Sequence, residues 1–535
     1  MATPVWLPGM DITAERLDAM QQAASLLVTN YGADPSGTAN ANPGIQEALN
    51  IARDLGGAQV VVPPGVYLIG ATLRIYGNTR LSLMAGAEFR RNVAGTMIIN
   101  GDAGQAFGGY TGHSNIVIEG GLWNMRGTTA GLTASAMCIS IGHATDITVQ
   151  DLEVRDLPGF HAIEMNSTTH GVIRNCKFRG YVDPGGRDFS EAVQIDLAKS
   201  SGVFGGFGPY DHTACEDVLV TGCHFGASGT AGTTAWPRGV GSHSATITKW
   251  HRRIRVIGNS FEGVLQYGVS AYNWEDAAVT ANTFVSCGSG VRLRTVIVAD
   301  TEDTKLPDGT QTSASQSMRN LAVVGNTFRS GAGYDEPIVA LGETTGQVLN
   351  LTIAGNSIDG STTAQNGIRL QEVERSSVTG NAIANSAGTG LSMENCARVI
   401  ADANQITWAG THGITAVTCT QMTVSANQVM FPDQNGVLVQ GGSDIQVRGN
   451  FVKGPGRVTN ATYYAFRIST AASSISLSGN KCRGFGSGNE AINGLSVTNT
   501  CTLIQRYGND WRGSWTGANL DDLSTTPNTT ATDLS

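Results

Sequence analysis

Residues 366–440 read NGIRLQEVERSSVTGNAIANSAGTGLSMENCARVIADANQITWAGTHGITAVTCTQMTVSANQVMFPDQNGVLVQ. Within this stretch a Gly/Ala-Asn step recurs at Asn381, Asn404 and Asn427, 23 residues apart each time. A second motif repeats with it as NGIRLQ (366–371), TGLSME (389–394), HGITAV (412–417) and NGVLVQ (435–440). Its second place is always Gly; the third and fifth are mostly aliphatic, and the fourth and sixth are usually polar. Alternation with period two turns the third and fifth places inward and the fourth and sixth outward. Short strands that repeat at a fixed pitch and share one buried face build a solenoid. The fold read from this stretch is all-β, a right-handed, single-stranded parallel β-helix.

The pattern extends in both directions. The asparagine step recurs at Asn259, Asn282, Asn326, Asn356, Asn450 and Asn480, with spacings from 23 to 44 residues, so insertions lengthen turns without breaking the pitch. Upstream, Cys176 and Cys223 hold the same slot. The second motif appears as HAIEMN (161–166), EAVQID (191–196), RGVGSH (238–243), YGVSAY (267–272) and SGVRLR (289–294). The asparagines read as scaffold: in a tight turn Asn tolerates the left-handed conformation and can hydrogen-bond its neighbour one rung away.

Composition agrees. Gly supplies 69 of 535 residues, and charged residues are only 14%, against about 25% in an average domain. The net charge of −9, with no Lys/Arg block, argues against a nucleic-acid partner. No apolar run approaches the ~20 residues of a membrane span, so no membrane insertion is expected. The nine cysteines are odd in number and form no C-x-x-C pair; they read as small buried thiols rather than disulfides or a zinc site. No metal or other cofactor is expected. The opening MATPVWLPGMD has neither a basic n-region nor an apolar h-region, so no Sec leader is expected.

Residues 28–69 predict a helix over 44–54, a Gly-Gly stop, an apolar strand and a Pro-Pro-Gly turn. With Y-G-A-D (31–34), I-Q-E-A-L (45–49), G-G (56–57), V-V-V-P-P-G (60–65) and Tyr67, this stretch resembles the start of the pectate-lyase-like β-helix superfamily, which includes phage tailspikes and polysaccharide depolymerases. With the rungs, the resemblance covers about residues 28–510. It implies a polysaccharide as partner and a homotrimer as assembly. The organisation expected is an attachment or neck segment at 1–29, a β-helix over 30–510 and a cap or tail at 511–535. The helix has loop insertions at 180–190, 198–215, 226–238 and 295–318. In the neck, Thr13, Leu17, Met20, Ala24 and Leu27 fall at a 4-3-4-3 spacing, the seam of one packed helix or of a trimeric bundle.

Most outward places are bland, except between residues 161 and 294. There they hold Glu164 and Asn166, Gln194 and Asp196, His243, Tyr272, Arg292 and Arg294, while the first place holds His161, Glu191, Arg238 and Tyr267. The loops beside them carry Phe204, Phe207, Tyr210 and Trp236, a plausible set of stacking faces for sugar rings. Glu164 and Asp196, one rung and two residues apart, would lie about 8 Å from each other. That spacing falls in the ~6.5–9.5 Å window of inverting glycosidases. Glu164, Asp196, Glu191 and His243 are therefore the candidate catalytic residues. His161, Arg238, Tyr267, Tyr272, Arg292, Arg294, Trp236 and Tyr210 are the candidate substrate contacts. A β-elimination lyase is the competing chemistry, because His243, Tyr272 and the arginines supply a base and cations for a uronate. Of the polygalacturonase rung motifs only fragments are present, so that activity is not carried over.

The expectation from sequence is a tailspike-like protein that binds and cleaves a host cell-surface polysaccharide. It would attach to a virion tail or baseplate through the N-terminal segment and act at the host surface. The alternatives are a non-catalytic receptor-binding or structural tail protein, and a free bacterial lyase or hydrolase of the same fold.

Overall fold

The structure, a computed structural model, describes Thr13 and residues 25–201, 208–361, 365–486, 488–525 and 533–534. The seam residues Leu17, Met20 and Ala24 and the loop aromatics Phe204 and Phe207 lie outside the described residues. The chain divides into two units, Met1–Ser244 and Ala245–Ser535. Each is built as a parallel β-helix.

In the first unit the chain visits three sheets in turn. Gln59–Val62, Gly65–Ile69 and Leu73–Ile75 form one coil. The strands Arg80–Leu83, Ala87–Arg91 and Ile98–Asn100 pair with them in parallel on later turns. Alternate residues point inward and are buried: Val60 and Val62, Tyr67 and Ile69, Leu73 and Ile75, then Leu81, Phe89 and Ile98. Burying each such side chain contributes about 1.5–3 kcal/mol. The predicted helix is present as Asn42–Asp54 and buries Ile45, Ala48, Leu49 and Ala52, the i, i+3, i+4, i+7 stripe of an amphipathic helix. It stops at Gly56 and Gly57, whose φ values of +75° and +137° few other residues adopt.

The asparagine ladder runs through the second unit. Each asparagine's Oδ1 accepts from the backbone N and the Nδ2 of the asparagine one rung before: Asn282 from Asn259, Asn326 from Asn282, and so on to Asn480. Asn509 continues the series, and the Asp533 carboxylate accepts from Asn509 in the same way. The sequence places the left-handed turn on the asparagines themselves. The structure puts it one residue earlier, on Gly258, Ala281, Gly325 and their equivalents, which leaves each asparagine extended and able to stack.

The second-place glycines have a different cause. At Gly390 an added Cβ would lie 2.4 Å from Ile406 Cγ2 and 2.8 Å from the Gly413 carbonyl oxygen, and at Gly413 2.2 Å from Val429 Cγ1. These glycines are needed for close packing of one rung on the next. All nine cysteines are buried and unpaired as disulfides, and no helix among the described residues is long and apolar enough to cross a membrane.

Candidate functional site

The polar ladder of the first unit sits on four consecutive strands of one sheet: Ile139–Gly142, Ile163–Asn166, Glu191–Asp196 and Arg238–Gly241. Register sets Ser140 beside Glu164 and Glu164 beside Gln194, Asn166 beside Asp196, and Glu191 beside Arg238. The alternation predicted from sequence holds, yet the outward residues are not open to solvent. Glu164 is 1% exposed, and Asp196 and Glu191 are 0%. Two segments beside the ends of these strands are tied to each other. Gly109 N donates to Asp211 Oδ2 at 2.7 Å, and Tyr110 Oη to the Ala214 carbonyl at 2.7 Å. His143 places its two ring nitrogens 2.8 Å and 2.9 Å from the Gly109 and Pro209 carbonyl oxygens.

Glu191 is the hub. Arg238 Nη1 donates to its Oε1 at 3.1 Å and His243 Nδ1 to its Oε2 at 2.9 Å, while His161 Nδ1 lies 3.9 Å from Oε2. Burial alone would raise the Glu191 pKa; the charge and hydrogen bond of His243, then Arg238 and His161, outweigh it and hold the carboxyl well below the usual range. Burial tends to lower the His243 pKa, but Glu191 and then Asp196 raise it above the ordinary value. His161 behaves differently: burial pushes it down to about 3, against the pull of Glu191. Its Nδ1 lies 2.8 Å from the Glu191 backbone carbonyl, which only accepts, so Nδ1 carries the proton. The two imidazoles stack with centroids 5.7 Å apart.

Beside this hub lies the second carboxylate pair. Glu164 accepts from Ser140 Oγ; burial, and then the charge of Asp196, push its pKa up to about 7. Asp196 accepts from Leu197 N at 2.9 Å and from Gln194 Nε2 at 3.1 Å. Glu164 Oε1, Gln194 Oε1 and both amide atoms of Asn166 are buried without a hydrogen-bond partner, so four polar atoms of neighbouring side chains stand unmatched in one patch.

His243 is read from sequence as Asp196's neighbour at the sixth place. The strand ends at Gly241, Ser242 Oγ bonds the Ile195 carbonyl, and the ring turns to Glu191 instead, with its Nε2 3.3 Å from Gln194 Nε2. Trp236 is wholly buried and packs on Tyr181 at 5.1 Å; its indole is core, which removes it as a stacking face. Tyr210 stays 39% exposed. Phe189 and Arg187, which the sequence reading passes over, cover the hub: Phe189 meets His243 edge-on at 5.8 Å, and the Arg187 guanidinium lies 4.7 Å from the Phe189 ring centre.

His161, Glu191 and His243 are also close enough, with ligand atoms within 4.8 Å of one another, to hold a metal ion. Both carboxylate oxygens of Glu191 already receive charged or imidazole donors, so its charge is balanced by the protein, and a cation there would sit beside the Arg238 guanidinium.

The remaining predicted residues belong to the second unit. Tyr272 Oη donates to Asp303 Oδ2 at 2.8 Å and is buried under the 295–318 loop. Arg294 pairs with Glu343. Arg292 Nη2 donates to Ser270 Oγ at 2.8 Å and its guanidinium lies 4.6 Å from the Tyr267 ring centre. Tyr267 Oη donates to Asp335 Oδ2 at 2.7 Å. The adjacent Glu336 occupies the first place of its rung, opposite Asn366, whose Nδ2 donates to Glu336 Oε1 at 2.8 Å. This Asp335–Glu336 pair is absent from the sequence reading. Burial and the neighbouring Asp335 raise Glu336, while hydrogen bonds from Glu336 and Tyr267 hold Asp335 down against burial.

Residues 26–292 match the family described as rhamnogalacturonase A/epimerase, pectate lyase-like, and residues 308–482 match the right-handed beta helix region. The fold is a pectate-lyase-like right-handed β-helix. Among curated proteins this β-helix is 26% identical over 302 residues to plasmin and fibronectin-binding protein A of Streptococcus pneumoniae. The match covers 51% of this chain and 41% of the relative, so the chain spans about two fifths of that protein's length. Two solved structures of the Streptococcus pneumoniae surface adhesin PfbA superpose with TM-scores of 0.58 and 0.55 at 17% and 16% identity. They cover 85% of this chain and 100% and 93% of those chains. At such identities the likeness is one of fold, and it joins family descriptions that name enzymes to a structure that is an adhesin.

Proposed function

We propose that this β-helix recognises a cell-surface polysaccharide through the outward face of its rungs, and that binding rather than cleavage is its main activity. The burial of Glu164, Asp196 and Glu191, none more than 1% exposed, carries this reading, because a polymer's glycosidic oxygen must reach a catalytic acid directly or through one water. The likeness to a surface adhesin supports a binding role. The family description and the amide- and hydroxyl-rich outward places favour a glycan as the partner. The test incubates the full chain with capsular and cell-wall polysaccharides, with immobilised plasmin and fibronectin as the competing arm. Retention of a polysaccharide at unchanged chain length is the expected result. Retention by the two proteins alone would overturn it.

Hydrolysis is the second reading, favoured by Glu164, held protonated to about pH 7 beside Asp196 with four unmatched polar atoms around the pair. Here Glu164 would give its proton to the leaving glycosidic oxygen. Asp196 would take one from the water that attacks the anomeric carbon. New reducing ends that disappear in both Glu164→Gln and Asp196→Asn would establish it. A product absorbing in the ultraviolet through a new double bond would point to β-elimination instead. On a virion the same chain would serve as a homotrimeric tail spike attached through residues 1–29, and a monomeric mass in sedimentation equilibrium would count against that form.

A further inference from the structure

The second unit carries a groove of about 580 Å³ far along the chain from the acidic ladder. It lies on the outward side of Val437–Gln440 and Tyr464–Ser469, with His412 and Thr498 on the flanking rungs. These strands pair in parallel, with Leu438 opposite Arg467 and Gln440 opposite Ser469. From the rung of His412 to that of Thr498 there are three steps, about 14 Å along the axis.

Three side chains give the groove its chemistry. Arg467 is partly buried, and its guanidinium lies 4.8 Å from the Tyr464 ring centre; among the described residues it has neither a hydrogen bond nor an ion pair. No acidic residue lines the groove, although the whole chain has 43 acidic residues to 34 basic ones. His412 Nδ1 accepts from Asn435 N and lies 3.2 Å from Asn435 Nδ2 as well, so the ring proton sits on Nε2. Burial, and then the Arg467 charge, push the His412 pKa down to about 4, so near neutral pH the ring presents a single N–H donor. Tyr463, half-buried on the groove wall, adds an aromatic face and a hydroxyl. A half-buried cation without a counter-charge is costly, and an anion that pairs with it recovers that cost as a charge-assisted bond.

We propose that this groove binds an acidic oligosaccharide, with a sugar carboxylate paired to Arg467, a ring face on Tyr463, and hydroxyls meeting His412 Nε2–H and Gln440. The length of the groove along the rungs favours an extended chain of sugars over a small anion, and the absence of any lining acid favours a carboxylate over a neutral sugar. This inference rests on the polysaccharide-binding reading and gives it a site and a sugar class.

The experiment is calorimetry of the full chain with glucuronate-, galacturonate- and sialate-bearing hexasaccharides, and with carboxyl-reduced forms of each. At least one acidic probe should bind, its reduced form about tenfold or more weaker. Arg467→Ala should weaken binding by a similar factor, and Arg467→Lys, which keeps the charge but not the planar fork, should fall between. The denaturation midpoint of each variant, little changed because Arg467 makes no hydrogen bond or ion pair among the described residues, shows that the fold is intact. Equal binding of acidic and reduced probes, or an acidic probe bound unchanged by Arg467→Ala, overturns the groove and leaves polysaccharide binding standing. Failure of the chain to bind any hexasaccharide or polymer overturns both.

Discussion

Two buried glutamates on neighbouring strands of the first unit, Glu164 and Glu191, are shifted in opposite directions. Glu164 titrates near 7, against 4.5 for a free glutamate. The folded state therefore holds an extra proton between those values, and its stability falls as pH rises through that window, by at most about 3 kcal/mol from this group. Glu164→Gln stays neutral throughout, so its urea midpoint should change less between pH 5 and pH 8 than that of the parent. Parallel pH profiles would show that Glu164 is already ionised at pH 5. Glu191 is held below 4.5, so its contribution is present above that value and is lost as pH falls through its folded pKa. The raised His243 contributes below about 6.5 and loses its share as pH rises through its own folded pKa. Glu191→Gln leaves Arg238 and His243 without their shared carboxylate and should cost roughly 3–5 kcal/mol. A loss below about 1 kcal/mol in denaturant titrations would mean that the hub is solvated rather than sealed.

At the scale of the rung, stability depends on the asparagine ladder. Asn404 accepts from Asn381 N at 3.1 Å and Asn381 Nδ2 at 2.9 Å, and its own Nδ2 donates to the Val378 carbonyl and Asn427 Oδ1, each at 2.9 Å. Asn404→Ala strands buried donors and acceptors on both neighbouring rungs and should cost about 2–4 kcal/mol. Gln428→Ala, on an exposed place of the next coil, should be close to neutral. Equal losses in the two variants would show that the ladder contributes nothing specific. The rungs were legible in sequence because stacking forces like residues into like places. Residues that depend on where a strand stops were not: His243 follows from the strand's end at Gly241, which alternation alone does not mark. Glu336 and Arg467 escaped for another reason. Their rungs, 336–341 and 464–469, follow lengthened turns, and the first carries Pro337 at the second place, so the motif is visible only once register is known. Burial of the acidic ladder was also hidden, since alternation marks which side chains face outward but not what packs over them.

Across the whole molecule, nine thiols are buried and none forms a disulfide. A thiol reagent should therefore label the native protein slowly and all nine positions after unfolding, and a reductant should leave the denaturation midpoint unmoved. Rapid labelling of the native protein would contradict this packing. The ladder of the second unit has a wider consequence. Its asparagines lie 23 to 44 residues apart, yet every link has the same geometry, so the spine counts coils and is indifferent to how much chain lies between them. Loops can therefore be exchanged at the surface without refitting the interior, and what the protein recognises is free to change while the framework that displays it stays the same.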